Sequence, residues 1–126
     1  MLSILLVGKE PHALAGLVTE LMQKDGIAVK RAASAKEAWM MLGKTRVDVV
    51  VTAEQLADGA ALPFVVELTR QHPLINCAMV SPLNTKDFHE ATEGLGVFMQ
   101  LPPDPGAEQA AQMVQYLESI DALMGM

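Results

Sequence analysis

The sequence has little of what several classes of functional site require. Its 126 residues contain one cysteine, Cys77, and three histidines. A single cysteine excludes an internal disulfide framework and a cysteine-based zinc site, and it predicts a reducing, cytoplasmic location. The three histidines lie on separate segments without the spacing of metal ligands. We therefore expect neither a metal site nor a histidine general base.

Positive charge is also scarce. Nine Lys and Arg residues against fifteen Asp and Glu residues give a formal net charge of −6. An acidic chain gains nothing from the release of phosphate counterions, so we expect no nucleic-acid partner. The apolar residues 1–7 are too few to cross a bilayer and fit a buried strand instead. We expect no membrane association.

What is present is a globular composition, with 51% hydrophobic and 19% charged residues, in a chain long enough to bury a core. We predict a single domain over residues 1–126. Residues 47–53 form the clearest element, a β-branched run without polar alternation. Such a run is typical of a strand buried on both faces of a parallel sheet. It ends at Ala53, and a polar loop with an Asp58-Gly59 turn follows.

Predicted strands and amphipathic helices alternate along the chain. The strands cover residues 4–7, 27–33, 47–53, 75–80 and 97–101. The helices begin at Pro11, after Ser34 in a capping-box pattern, near Leu62, at Asp87 and near Ala107. Five alternations with right-handed crossovers predict an α/β fold, a doubly wound five-stranded parallel sheet with helices on both faces. The best strand order is the flavodoxin-like 2-1-3-4-5, whose ligand-binding switch point falls at residues 8–10 and 53–58.

Four features follow one another in an order found in one protein family. Residues 4–11 (Ile-Leu-Leu-Val-Gly-Lys-Glu-Pro) end a first strand before a proline, and residues 48–62 lead from the third strand through a loop. Ser81 ends the fourth strand, and residues 94–102 join a glycine segment to an aromatic residue and a proline. Over nearly its full length the chain resembles the receiver domain of bacterial two-component response regulators.

The resemblance implies a site at which this chain departs from the family pattern. Ala53 stands where the phosphoacceptor Asp is expected, and Gly8 and Lys9 stand where Mg²⁺-binding acids are expected, which leaves Glu10. Leu101 stands at the position of the Lys that contacts the phosphoryl group. Phosphoryl transfer to a carboxylate needs that carboxylate and Mg²⁺ held by several oxygen ligands.

The resemblance therefore implies an atypical receiver that keeps the fold and loses aspartyl phosphorylation. Such a receiver has no catalytic residue, is not an enzyme and needs no Mg²⁺ or other cofactor. We call the six residues at these positions the degenerate pocket: Gly8, Lys9, Glu10, Ala53, Ser81 and Leu101.

Several alternatives stay open on the sequence alone. Lys9 either takes the place of the metal and pairs with Glu10 or Asp58, or is a solvated lysine. Asp58 is an alternative phosphoacceptor, although Asp-Gly is typical of turns. A small anion at the switch point is a third possibility, which Lys9 favours and the lack of a glycine-rich phosphate loop disfavours. Ser81 and Phe98 match a pair that moves on phosphorylation in active receivers, and without phosphate we expect them only to cap and pack.

The function expected from this resemblance is a pseudo-receiver, a protein-interaction module in bacterial signal transduction. It would act through a protein partner or by self-association. Receivers commonly dock or dimerise through helix 4, strand 5 and helix 5, and an exposed aromatic residue suits such a contact. The candidate contacts on this face are Phe98, Met113 and Tyr116.

Overall fold

A computed structural model describes residues 2–10 and 14–124 of the chain, with side chains up to residue 119. The strands are β1 (Leu2–Val7), β2 (Ile27–Ala32), β3 (Val49–Thr52), β4 (Gln55–Leu56), β5 (Gly59–Ala60), β6 (Asn76–Val80) and β7 (Val97–Leu101). The helices are α1 (Ala15–Met22), α2 (Ala35–Leu42), α3 (Ala61–Gln71), α4 (Thr85–Thr92) and α5 (Ala107–Met124).

Five strands form a parallel sheet in the order β2-β1-β3-β6-β7. The remaining two, β4 and β5, pair antiparallel as a separate hairpin. Once the hairpin strands are set aside, this is the predicted order 2-1-3-4-5. The predicted α/β fold, a doubly wound parallel sheet with helices on both faces, is confirmed.

The central strands are apolar throughout because both faces of the sheet are covered. On one face β1 and β3 pack with α1 and α5 through Ile4, Leu6, Val49, Val51, Leu17, Leu21 and Met113. On the other face they pack with α2, α3 and α4 through Leu5, Val7, Val50, Ala38, Phe64, Val65 and Phe88. Complete burial of one such Leu, Val or Phe side chain contributes about 1.5–3 kcal/mol. These two layers fix the positions of the strand ends.

Capping side chains set the start of two helices. The Ser34 hydroxyl oxygen accepts the backbone N–H of Glu37 at 3.0 Å, as the capping-box pattern predicts. The Asn84 side chain accepts the backbone N–H of Asp87 at 2.8 Å, so α4 begins at Thr85, two residues before the predicted start. The first helix begins at Ala15, and its predicted start at Pro11 lies outside the described residues.

The segment after β3 differs from the prediction. The sequence predicts a polar loop with an Asp58-Gly59 turn over residues 54–59, whereas in the structure Gln55–Leu56 and Gly59–Ala60 pair as a short hairpin. Leu56 supplies the physical reason, because its side chain is buried in the core beneath the hairpin. β3 itself covers four residues of the predicted residues 47–53.

Among the described residues, none of the helices combines the length and apolar character needed to cross a membrane.

Candidate functional site

The predicted switch point lies where β1 and β3 end side by side. The backbone N–H of Ala53 donates to the Val7 carbonyl at 2.8 Å, which brings Ala53 next to Gly8. A Cβ atom placed on Gly8 would lie 2.9 Å from the Cβ atom of Ala53, closer than real Cβ atoms approach. The backbone therefore admits glycine here, and the buried methyl group of Ala53 fills the space between the two strand ends.

The backbone N–H groups at this point already have protein partners. Gly8 donates to the carbonyl of Ala32 at 3.0 Å, and Lys9 donates to the carbonyl of Gln55 at 3.0 Å. Anion sites on loops are built from backbone N–H groups that point at the ligand. Because these groups point at carbonyl oxygens, the geometry does not favour a small anion at the end of β1.

Lys9 and Glu10 are both exposed to solvent. The ion pairs that the described side chains form are Arg46 with Asp48 and Arg70 with Glu67, and neither includes Lys9. Mg²⁺, which the resemblance implies for phosphorylatable receivers, prefers octahedral oxygen ligands including carboxylates, and among Gly8, Lys9, Glu10 and Ala53 one side chain, that of Glu10, carries a carboxylate. The described part of the chain holds no cluster of three His, Cys, Asp or Glu side chains that could bind a metal ion.

The carboxylate of Asp58 forms hydrogen bonds with the start of α2. Its Oδ1 accepts the N–H of Ala35 at 2.8 Å, and its Oδ2 accepts the N–H of Lys36 at 3.2 Å. These hydrogen bonds lower the pKa of the Asp58 carboxyl below its ordinary value. The carboxylate thus caps the first turn of α2 from the hairpin, and this geometry does not favour Asp58 as a displaced phosphoacceptor.

Ser81 lies on the loop that joins β6 to α4. Its backbone N–H donates to the Leu101 carbonyl at 3.0 Å, and its hydroxyl oxygen accepts the N–H of Leu83 at 3.2 Å. The hydroxyl therefore has the local capping role that the sequence led us to expect for it.

Gln100 is the polar residue that sequence reasoning missed. Its side-chain nitrogen Nε2 donates to the carbonyl of Ser81 at 3.2 Å and to the carbonyl of Leu83 at 2.7 Å. A single amide thus joins β7 to the β6–α4 loop. The sequence carried one signal of this role, because Gln100 is the only polar side chain within residues 97–101.

Leu101, the last of the six predicted pocket residues, is a core residue. Its side chain is 0% exposed and belongs to the core layer that β1 and β3 share with α1 and α5. The six predicted pocket residues are therefore only partly brought together. Gly8 and Ala53 are in contact, Lys9 and Glu10 face solvent, and Ser81 lies on the loop after β6, the strand next to β3.

A cleft of about 260 Å³ separates the β4–β5 hairpin from α4. Its walls are mainly apolar and include Leu62, Met79 and Phe88, while Glu54 and Ser81 contribute polar groups. Sites for small molecules usually have volumes of about 300–1,000 Å³ and a few convergent polar groups. This cleft falls below that range.

Two of the three predicted contact residues form an aromatic pair on the surface. The rings of Phe98 in β7 and Tyr116 in α5 are stacked, with centroids 4.6 Å apart and planes 9° apart. Tyr116 is 43% exposed, as expected from its offset from the apolar stripe of α5. Stacked aromatic pairs contribute about 0.5–1.5 kcal/mol beyond area burial. Phe98 therefore holds the Tyr116 ring in place on the surface.

The prediction that Met113 contacts a partner is wrong. It is 0% exposed and packs in the core with Ala110 and Leu117 on the sheet-facing side of α5. Residues three and four apart share one face of a helix, so Met113 follows its two neighbours inward. It is not available to a partner.

Cys77 is buried in β6, where desolvation raises the pKa of its thiol to about 12. The thiolate is the reactive form of cysteine, so this residue is unreactive at neutral pH. It acts as a small apolar side chain of the core.

Comparison with known proteins reveals similarity in structure. No protein-family model matches the chain, and no curated protein sequence matches it. The signal receiver domain of an HD domain-containing protein from Pseudomonas fluorescens is 20% identical, with a TM-score of 0.78 over 98% of this chain and 92% of that one. The chemotaxis response regulator CheY4 of Vibrio cholerae is 19% identical, with a TM-score of 0.78 over 92% of this chain and 98% of that one.

The N-terminal domain of an uncharacterized protein from Wolinella succinogenes is 18% identical, with a TM-score of 0.80 over 98% of this chain and 99% of that one. Similarity at this level of identity establishes the fold. The chain has the CheY-like fold of response-regulator receiver domains.

Proposed function

We propose that this chain is a phosphorylation-independent receiver domain, a non-enzymatic module of bacterial signal transduction that acts through protein contacts. The observation that carries the proposal is the close packing of Gly8 against Ala53 at the ends of β1 and β3. Aspartyl phosphorylation requires an acceptor carboxylate and Mg²⁺ at this edge of the sheet. A methyl group and a glycine offer neither an acceptor nor a ligand for the metal.

The proposal includes three further features that rest on the same residues and on composition. It requires no Mg²⁺ or other cofactor, since Lys9 adds positive charge beside Glu10 where a divalent cation would need negative ligands. The net charge of −6 argues against a nucleic-acid partner. The single Cys77 agrees with a cytoplasmic location.

The surface proposed for protein contacts consists of α4, β7 and α5. Its centre is the stacked pair of Phe98 and Tyr116, and the outward side chains of α4 include Lys86, His89 and Glu90. An exposed aromatic anchor and charged side chains on neighbouring elements are the pattern of a non-obligate protein interface, where aromatic residues supply the anchor and polar residues form the rim.

Phosphorylation independence is tested by intact-mass measurement after incubation with Mg²⁺ and acetyl phosphate. The proposal predicts no gain of a phosphoryl group, under conditions in which a phosphorylatable receiver run in parallel gains one. A stoichiometric gain on this chain, assigned to an acid by peptide mapping, would contradict the proposal.

The contact surface is tested by a dilution series followed by ¹H–¹⁵N NMR, with sedimentation velocity as a second measure of association. If the chain self-associates, concentration-dependent shifts should cluster on α4, β7 and the outward face of α5, and Tyr116→Ala should abolish them. The matched control is Leu74→Ala, because Leu74 is a more exposed apolar residue outside this surface. Shifts that depend on Leu74 instead of Tyr116 would show that the surface is wrongly assigned.

A further inference from the structure

The β6–α4 loop is held by a side chain from the neighbouring strand. The Nε2 atom of Gln100 donates to the carbonyls of Ser81 and Leu83 at 3.2 and 2.7 Å. Both acceptors belong to a loop that is otherwise held by the backbone hydrogen bond from Ser81 to the Leu101 carbonyl, by the Ser81 hydroxyl and by the cap of α4 at Asn84. The two hydrogen bonds of Gln100 are thus the side-chain link between this loop and β7.

The position of this link has consequences for the whole contact surface. Gln100 lies two residues after Phe98 in β7, and the loop that it holds leads directly into α4. Hydrogen bonds weaken steeply when their distance and angle depart from the ideal values. The carbonyls of Ser81 and Leu83 can therefore accept from Gln100 in only one arrangement of the loop. The orientation in which α4 leaves the sheet is therefore coupled to β7 by the Gln100 amide.

We infer that Gln100 is a positioning residue, a built-in latch that keeps the β6–α4 loop and the start of α4 in one conformation without any ligand. The inference rests on the proposed function for its use, because a surface that acts without phosphorylation binds more tightly when the chain itself holds it in its binding arrangement. The latch is a property of the free protein, and it can be tested separately from that function.

The decisive variant is Gln100→Glu. It has nearly the same shape, loses both amide N–H donors and places a carboxylate against two carbonyl oxygens. We expect the amide hydrogen of Leu83 to exchange at least about tenfold faster, the factor for one net hydrogen bond. We also expect the backbone N–H order parameters of Leu83 and Asn84 to fall from about 0.85 to below 0.6. The thermal midpoint of unfolding should change little, because the effect is confined to the loop.

Two further variants keep the test specific. Gln100→Lys retains N–H donors on a side chain long enough to reach the loop, so it should preserve slow exchange at Leu83. Gln115→Glu makes the same chemical change on the exposed side of α5 and should leave the loop unchanged. If Gln100→Glu fails to fold, Gln100→Met, which removes the donors without adding charge, takes its place in the same measurements.

The latch is overturned if Leu83 and Asn84 are mobile in the unmodified chain, or if removal of the Gln100 donors leaves the exchange of the Leu83 amide hydrogen unchanged. Its failure can be told apart from failure of the proposed function by adding Mg²⁺ and beryllofluoride to the same samples. A rigid loop together with saturable beryllofluoride binding would retain the latch and reject phosphorylation independence. A mobile loop without such binding would reject the latch and leave the proposed function in place.

Discussion

The carboxyl edge of the sheet has two halves that are held together in different ways. At the ends of β1 and β3, Gly8 and Ala53 pack closely and backbone hydrogen bonds join the strand ends to the hairpin. At the ends of β6 and β7, the side chain of Gln100 holds a loop. The first half is closed by small residues, whereas the second is fixed by polar contacts within the chain. In both halves, the backbone groups nearest these contacts are bonded within the protein.

The largest expected effect comes from placing a lysine at the end of β7. Leu101→Lys would place an ammonium group where the side chain is 0% exposed, among the apolar residues between the sheet and α1 and α5. An uncompensated buried charge costs about 3–5 kcal/mol, so we expect a loss of this size in the free energy of unfolding, measured by urea denaturation. Leu101→Met conserves volume and should cost less than about 1.5 kcal/mol. A Lys variant as stable as the Met variant would show that position 101 reaches the pocket.

The second-largest expected effect concerns the close contact between Gly8 and Ala53 at the ends of β1 and β3. Gly8→Asp introduces a Cβ atom 2.9 Å from that of Ala53, and we expect a loss of about 1–3 kcal/mol in unfolding free energy from overpacking. The double variant with Ala53→Gly removes the clash and should recover part of the loss in a double-mutant cycle. Gly106→Asp is the control, because nothing lies within 4 Å of a Cβ placed there. Additive effects at positions 8 and 53 would contradict the proposed closure.

Thr52, at the end of β3, gives a smaller effect of the opposite sign. It is fully buried, and its hydroxyl has no hydrogen-bond partner in the part of the chain that the structure describes. Removing an unpaired buried hydroxyl should raise the unfolding free energy, and we expect a gain of about 1 kcal/mol for Thr52→Val. The control is Thr92→Val, because the Thr92 hydroxyl donates to the Phe88 carbonyl at 2.9 Å. A destabilised Thr52→Val protein would mean that this hydroxyl has a partner after all.

The smallest effect concerns Asp58 and appears as a pH dependence. Hydrogen bonds from Ala35 and Lys36 lower its pKa in the folded state below the ordinary value of 3.8. Asp58 therefore contributes stability that is fully present above the unfolded pKa and is lost as the pH falls through the lower, folded value. We expect Asp58→Asn to lower the thermal midpoint at neutral pH, with a difference from the unmodified chain that shrinks in acid.

The control for this pH dependence is Glu54→Gln, a change at an exposed acid of the same connecting segment. Its side chain forms none of the hydrogen bonds found among the described residues, so we expect a smaller change that varies less with pH. A pH-independent effect of Asp58→Asn would argue against the proposed cap on α2.

The sequence predicted the sheet and its order because the responsible signals are local. Residues 49–52 are β-branched and buried, and the Ser34 cap lies three residues from the N–H that it accepts. The hairpin was missed because two-residue strands carry no periodic pattern. The contact of Asp58 with Ala35 was missed because 23 residues separate the partners, and only the folded chain brings the hairpin to α2.

Site predictions were less accurate because they assigned positions without side-chain directions. Leu101 was placed in the pocket by its position in a family pattern, but at this residue the side chain enters the core beneath α1 and α5. Met113 shares a helical face with Leu117 and is buried with it, whereas Tyr116 is offset and exposed. Gln100 had no recognisable role in the sequence, since its two acceptors are backbone carbonyls of a loop that lies 17 to 19 residues earlier.

The most direct test of the central claim is a ¹H–¹⁵N NMR titration with Mg²⁺, followed by Mg²⁺ with beryllofluoride, a mimic of the bound phosphoryl group. The account predicts that the signals of Gly8, Lys9, Ala53 and Ser81 stay unchanged at concentrations that saturate a phosphorylatable receiver measured in parallel. Saturable shifts at these residues that spread to Phe98 would contradict it, because they would show that a phosphoryl-binding switch operates on the residues present.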